Sequence, residues 1–414
     1  MSSKRNPLNC WALKLFELQR SFVKTGVKVM IKSFKIRIYP SKEQEEKIWK
    51  HIGSCRFVWN YMIDIQQNNY ENGGKYLSSF SMINLLKSLK NDGEHNWLYE
   101  VSNASLQTVC RDLDKAYKGF FKKVYRYPRF KSRKKSKPSY PARCDSLYFK
   151  DEKFLNIEKI GKVRYKTDFK FRYGKGVYKF TNPRVSYKPA KDILMLTFGM
   201  ECENQAPELT DTPMGIDLGI KDLAIVAFGD EHIIFHNINK AKKVRDLEKK
   251  KIRIQRSISR KYEASKKRTG RYEKTKNIIK EEQKLRKVCD RLNGIRNNYI
   301  HQTTHRLVSM LPKSVVMEDL AVSEMIRKSS HRKAKNISDQ KWAEFIWQMK
   351  YKCEFYSIPF VQVNRYYPSS KTCSNCGFIK RDLKEKDRVY ICPECGFVID
   401  RDYNAAINLM RHVA

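Results

Sequence analysis

Residues 33–39, Ser33-Phe-Lys-Ile-Arg-Ile-Tyr39, alternate polar and apolar side chains with the period of a half-buried strand. Pro40-Ser41 with Gln44 has the capping-box form of a helix start, and Ile48, Ile52, Val58, Trp59 and Met62 follow at near-helical spacing. Asn72-Gly73-Gly74 ends that run. A second helix is predicted from Ser102, where Leu106, Val109, Cys110, Leu113, Tyr117, Phe120, Phe121 and Val124 form one stripe of period 3.6. From Pro128 to about residue 210 the period returns to two, in segments such as 177–180 and 193–198, predicting a small β domain. Strands on both sides of the helices make the helical module an insertion into that domain. Residues 205–213, rich in Pro and Thr, read as a linker.

Beyond the linker, strands at 214–220, 222–228 and 232–236, with a turn at Gly229-Asp-Glu231, predict an antiparallel meander. A basic helical stretch over 239–311 comes next. It is followed by a strand at 314–319, an amphipathic helix at 338–356, a strand at 358–363 and a final helix at 403–412. Strand triplet, helix, strand, helix, strand is the element order of an RNase H-like fold, so the class expected is α/β and multidomain.

Three acids fall in three motifs: Asp217 in Met214-Gly-Ile-Asp-Leu-Gly219, Glu318 in Val315-Val-Met-Glu-Asp319, and Asp402 in Asp400-Arg-Asp-Tyr-Asn404. Gathered by folding, one carboxylate per motif makes a site for hard divalent cations that cut phosphodiesters, two Mg²⁺ ions being the expected occupants. The flanking Gly215 and Gly219 leave room for metal and phosphate to approach the strand. Taken singly each acid has a plainer reading: Asp217 as a turn residue, Glu318 as half of a salt bridge, Asp400 or Asp402 as a helix N-cap. Asp319, Glu324 and Asp400 stand as helpers nearby, and His301 and His305, four apart, could face a metal but lack the Glu of a zincin motif.

Cys373-x2-Cys376 and Cys392-x2-Cys395, separated by fifteen intervening residues, have the spacing of a Cys₄ zinc site built from two knuckles, with Gly377 and Gly396 after each pair. One structural Zn²⁺ is expected, with disulfides as the alternative. The second pair lies close before Asp402, so the knuckle is expected to help place that acid.

Lys and Arg number 85 against 44 Asp and Glu, a formal charge of +41 spread along most of the chain. Such a chain calls for a long polyanion, and nucleic acid is favoured over a membrane surface because no stretch approaches the roughly 20 apolar residues of a spanning helix. In residues 125–137, Arg126, Arg129, Lys131, Arg133, Lys134 and Lys135 interleave with aromatics, a composition suited to phosphates and bases, or to a solvated loop. The 242–287 stretch mixes Lys and Arg with Glu at helical spacing and fits a solvated hairpin nearly as well as a nucleic-acid wall. Seven scattered cysteines favour a reducing compartment, the cytoplasm or nucleoid.

Read in order, the motifs resemble those of the TnpB family, transposon-encoded relatives of the miniature type V CRISPR effectors. The resemblance rests on Ile36-Arg-Ile-Tyr-Pro40, Gly215-Ile-Asp-Leu-Gly219, Met317-Glu-Asp-Leu320, Tyr367-Pro-Ser-Ser-Lys-Thr-Cys-Ser-Asn-Cys-Gly377 and Asp400-Arg-Asp-Tyr-Asn-Ala-Ala-Ile-Asn-Leu409, and spans about residues 30–414. It implies an oligonucleotide-binding (OB)-like β-barrel wedge, with its first strand at 30–40 and the rest at 128–210, interrupted by a helical recognition lobe at 41–127. It further implies an RNase H-like RuvC domain at 211–371, a zinc ribbon at 372–397 and the third RuvC motif with the last helix at 398–414. Residues 1–29, before Met30, are then an N-terminal extension reflecting an upstream start, and no extended basic tail follows the last motif. The implied activity is RNA-guided cleavage of double-stranded DNA beside a short transposon-adjacent motif, by a monomer holding a guide RNA from the transposon end. Asp217, Glu318 and Asp402 are the implied ligands, Asp402 over Asp400 because the family's acid precedes x-Asn-Ala. The alternatives are a nuclease-inactive RNA-guided repressor and an RNA-independent transposase.

Overall fold

A computed structural model describes residues 29–203, 206–384 and 386–412; the extension expected at 1–29 lies outside them except for the backbone of Val29. The chain divides into two compact units between Glu203 and Asn204.

The first unit is built on a seven-stranded sheet in the order β2-β6-β7-β1-β5-β4-β3. The strands are β1 (Val29–Tyr39), β2 (Ser139–Pro141), β3 (Tyr148–Phe149), β4 (Phe154–Ile157), β5 (Gly161–Lys166), β6 (Phe180–Lys188) and β7 (Ile193–Glu203). β1 runs antiparallel to β7 from Val29↔Glu203 to Ile38↔Leu194, so strands before and after the helical segment share one sheet. The alternation in β1 buries Phe34, Ile36 and Ile38. Helices α1 (Lys42–Glu71), α2 (Ser79–Lys90) and α3 (Asn103–Phe121) fill the interval. Ser41 and Gln44 form the capping box that the sequence predicts. The α3 stripe is buried through Tyr117, but the helix stops at Phe121, which is exposed like Val124. The segment at 177–180 is not a strand until Phe180; positive φ at Gly174 and Gly176 bends the chain just before it.

The second unit has a five-stranded sheet in the order β10-β9-β8-β11-β12. β8 (Met214–Leu218), β9 (Asp222–Phe228) and β10 (Glu231–His236) form the expected antiparallel meander. β11 (Val315–Glu318) runs parallel to both β8 and β12 (Phe360–Val363). Between β10 and β11 the basic stretch folds as a hairpin of α4 (Lys242–Thr269) and α5 (Lys276–Val308), closed by Val244, Ile254, Val288 and Leu292. Where one helix is predicted at 338–356 there are two, α7 (His331–Gln340) and α8 (Trp342–Phe355), preceded by a short α6 (Val322–Lys328). Lys341 adopts left-handed φ 55° between them, and this break lets Ile337 and Gln340 be buried on one side and Trp342 and Phe345 on the other. The chain ends with the hairpin β13 (Val389–Ile391) and β14 (Val398–Asp400), then α9 (Arg401–Arg411). No described helix is long and apolar enough to cross a membrane.

Candidate active site and metal centre

β8 and β11 run side by side in the register Val316↔Gly215 and Met317↔Ile216, so the next step along both strands brings Glu318 beside Asp217. Residues paired across strands share a face, and Asp217 pairs with Ile225 on its other side. That face is covered by α9: Ala406 packs with Ile225 and Ala227, and Leu409 with Val316 and Val363. Gly215 is what allows this cover, because a Cβ there would lie 2.0 Å from the Ala406 carbonyl oxygen and 2.4 Å from the Met410 amide. The space expected for metal and phosphate beside Gly215 is therefore filled by a helix, and the glycine serves helix–strand contact. Asp217, two residues further, comes out near the first turn of α9.

Asp402 stands in that turn. Asp400 is the N-cap, its Oδ1 accepting from the amides of Asp402 (2.9 Å) and Tyr403 (3.1 Å), which leaves the Asp402 side chain free of capping. Burial pushes the Asp217 carboxyl well above the ordinary range, and the negative charges of Glu318 and Asp402 push it further. Glu318 is raised by burial, against the Ser369 hydroxyl that donates to its Oε1 and against Arg401. Asp402 is raised by burial and by Asp400, against Arg388, Arg401 and Lys221; Arg388 Nη1 stands 3.5 Å from its Oδ2. Asp217 thus feels the negative charge of the acids from both other motifs. Their oxygens do not all close within 4.8 Å of one another, a spacing that among the described residues only the cysteine cluster meets. Desolvated carboxylates that repel each other are the donor set a hard divalent cation would neutralise.

The helper acids sit in ion pairs, Asp319 with Arg365 at 2.9 Å and Glu324 with Lys328 at 2.6 Å. His301 and His305 have lowered pKa values, from burial and then from the Lys352 ammonium, a cationic neighbour that disfavours a metal ion there.

Cys373, Cys376, Cys392 and Cys395 bring their sulfurs within 4.8 Å of one another. Cys373 to Cys395 is 3.8 Å and Cys376 to Cys392 3.5 Å. A tetrahedral ion with Zn–S bonds of about 2.3 Å separates its sulfurs by about 3.8 Å, so the cluster fits one Zn²⁺. A disulfide needs about 2.05 Å. Gly377 (φ 79°) and Gly396 (φ 69°) turn each knuckle, letting the Phe378 and Phe397 amides reach the Cys376 and Cys395 sulfurs.

The first knuckle is tied to α9 by side chains that sequence reasoning passed over. Asn404 Oδ1 accepts from the Ser374 amide (2.9 Å) and its Nδ2 donates to Thr372 O (2.7 Å). Asn408 Nδ2 donates to Ser369 O (2.8 Å) and Thr372 O (2.7 Å). The available signal was two asparagines four apart on an apolar helical face, which need buried partners.

In the first unit Arg126, Arg129, Arg133, Lys134 and Lys135 are exposed. Lys131 differs: its Nζ lies 3.4 Å from the centroid of the Trp59 ring, Asn60 bonds its amide and carbonyl, and burial lowers its pKa to about 8. Lys131 and Arg133 line a cavity of about 530 Å³ with Arg56, Lys137 and Arg184.

Three family models match: "Helix-turn-helix domain" over residues 30–75, the IS605 OrfB model "Probable transposase" over 197–329, and "Cas12f1-like, TNB domain" over 342–409. A Streptomyces pristinaespiralis protein named "Putative RNA-guided DNA endonuclease" is 29% identical over 383 residues, 92% of this chain and 88% of its own length. The Escherichia coli K12 protein of the same name, InsQ, is 29% identical over 397 residues, 92% of each chain. The cryo-EM structure of a Cas12f1–sgRNA–target DNA complex superposes with TM-score 0.53 at 13% identity, covering 93% of this chain and 99% of that one, a likeness of fold.

Proposed function

We propose, from the premise that this chain is a TnpB-like protein, that it is an RNA-guided DNA endonuclease whose partners are a guide RNA and a double-stranded DNA target. The observation that carries the proposal is the β8–β11 register that sets Glu318 beside Asp217, with the charges of Glu318 and Asp402, each from a different motif, both reaching Asp217. We read the second unit as an RNase H-like RuvC domain at 211–371 and 398–414 with a zinc ribbon at 372–397. The first unit we read as an OB-like wedge at 30–40 and 128–210 carrying a recognition lobe at 41–127.

In this reading Asp217, Glu318 and Asp402 hold two Mg²⁺ ions, which when bound activate the attacking water and stabilise the leaving oxygen. Ser369 fixes the Glu318 carboxylate by donating to it. Arg388 and Lys221 place positive charge beside Asp402, where a scissile phosphate would bring negative charge. The four cysteines hold a structural Zn²⁺ with no open position. Base pairing to the guide supplies sequence choice while a basic protein grips backbone and shape, which suits a formal charge of +41.

The test is cleavage of a plasmid carrying the guide-matched target beside a randomised flank, in Mg²⁺, by protein purified with its bound RNA. Wild type should cut and Asp217→Ala should not; equal cutting by both ends the assignment. Sequencing the bound RNA separates this reading from an RNA-independent transposase, which would carry no defined species.

A further inference from the structure

Just beyond the Asp217 strand, three successive backbone carbonyls are held by side chains. Gln340 Nε2 donates to Gly219 O (3.2 Å) and Ile220 O (3.1 Å). Asn237 Nδ2 donates to Ile220 O (2.8 Å), and Lys240 Nζ to Lys221 O (2.7 Å). The position of residues 219–221 therefore depends on two segments distant in sequence, the turn at 237–240 and the end of α7. Gln340 is buried, and its Oε1 has no hydrogen-bond partner among the described residues, a cost that an apolar side chain would avoid.

Both segments are held by one residue. Arg296 on α5 is 6% exposed. Its Nε donates to Asn239 Oδ1 (2.7 Å), its Nη2 to Glu248 Oε1 (3.0 Å), and its Nη1 stands 3.1 Å from Asp339 Oδ1. Asn239 Nδ2 in turn donates to Asp339 O (3.2 Å), stitching the segments together. Asn239 lies between Asn237 and Lys240, and Asp339 adjoins Gln340, so the residues Arg296 grips are the neighbours of those that grip the loop.

We infer that Arg296 is a positioning residue for the cation site, fixing the loop that ends the Asp217 strand and carries Lys221 toward Asp402. This rests on the proposed role of Asp217 and deepens it. The contribution is geometric more than electrostatic, because Glu248 and Asp339 keep Lys251 (2.6 Å) and Lys335 (2.5 Å) as partners in any case. A guanidinium offers five donors in a rigid fork; a lysine at 296 keeps the charge but cannot reproduce the three-way grip.

The experiment compares wild type, Arg296→Lys, Arg296→Met and Gln340→Leu, each purified with bound RNA. Mn²⁺ affinity is read by electron paramagnetic resonance, exchange of the amides at 218–223 by hydrogen–deuterium exchange, and target binding alongside cleavage against Mg²⁺ concentration. All three variants should bind target within about twofold of wild type and Mn²⁺ roughly 10- to 100-fold more weakly, as happens when groups that orient metal ligands are lost. Their 218–223 amides should exchange faster, and excess Mg²⁺ should restore part of the cleavage. Wild-type Mn²⁺ affinity in folded Arg296→Met overturns the inference; if Arg296→Met does not fold, wild-type Mn²⁺ affinity in Gln340→Leu does so. If Asp217→Ala itself binds Mn²⁺ and cuts like wild type, the underlying site reading has failed. If Asp217→Ala is inactive while the Arg296 variants match wild type, only the present inference has.

Discussion

Gly215 of β8 and Ala406 of α9 touch through backbone, since a Cβ added to the glycine would meet the Ala406 carbonyl oxygen at 2.0 Å. No flexible side chain can yield there, so Gly215→Ala must lift the helix that carries Asp402. Overpacking of this kind costs about 1–3 kcal/mol. A displacement of about 1 Å at a reacting group can cost about 10²-fold in rate. Gly215→Ala should cut at least about 10²-fold more slowly in single-turnover assays while binding target normally. Cleavage within twofold of wild type would mean that α9 does not set the position of Asp402.

The zinc knuckle reaches the same helix through Asn404, fully buried between the Ser374 amide and the Thr372 carbonyl. Asn404→Leu strands the Ser374 amide, at about 1–3 kcal/mol, while the Thr372 carbonyl keeps the Asn408 side-chain amide. Metal analysis should find its zinc content unchanged, because the four cysteines are untouched, while melting temperature and cleavage both fall. Cys376→Ser with Cys392→Ser should lose zinc and cleavage together. An Asn404→Leu protein that keeps zinc and full activity would falsify the idea that the ribbon acts through this residue.

How much of this was legible in the residues follows from range. The β1 alternation, the Ser41 capping box and the 222–228 strand are local patterns, and each appears where its period or spacing places it. The cysteine cluster was legible because knuckle spacing alone dictates its geometry. The break at Lys341 was not, because no Gly or Pro marks it and its left-handed backbone is held by burial on both sides. Gly215 was legible as a requirement for closeness but not for closeness to what, since α9 lies about two hundred residues away in sequence. Arg296 looked like one more cation on a basic helix; only the fold shows three acceptors converging on it.

Lys131 and Arg133 lie two residues apart in the basic segment and should behave differently. Lys131 is engaged with Trp59 and Asn60, whereas Arg133 is exposed. Arg133→Ala should weaken RNA binding and reduce the slope of log affinity against log salt by about 0.7–0.9, the value of one phosphate contact. Lys131→Ala should lower the melting temperature and leave that slope nearly unchanged. Fluorescence anisotropy across a salt series, with thermal melts on the same samples, checks both. A slope change for Lys131→Ala equal to that for Arg133→Ala would place it among the phosphate contacts.

The raised carboxyls give the protein without added Mg²⁺ a definite response to pH. Asp217 and Asp402 have folded pKa values above their ordinary 3.8, and Glu318 above 4.5. The folded state then holds protons that the unfolded chain has already released, so these groups lower stability as pH rises from those ordinary values through the folded ones. Above that window the penalty is complete, at about 1.4 kcal/mol for every tenfold by which folding tightens a carboxyl's hold on its proton. Asp217→Asn removes the carboxyl whose charged form burial and the charges of Glu318 and Asp402 disfavour, so in buffer without Mg²⁺ it should melt above wild type at pH 7.5, the gap narrowing as pH falls toward 4. Added Mg²⁺ should raise the wild-type melting temperature, since the ion offsets the same repulsion, and leave Asp217→Asn nearly unmoved. Melting curves collected without chelator, to keep the zinc, test both. A variant that melts below wild type at pH 7.5 would show that the acids are not held together against their charge.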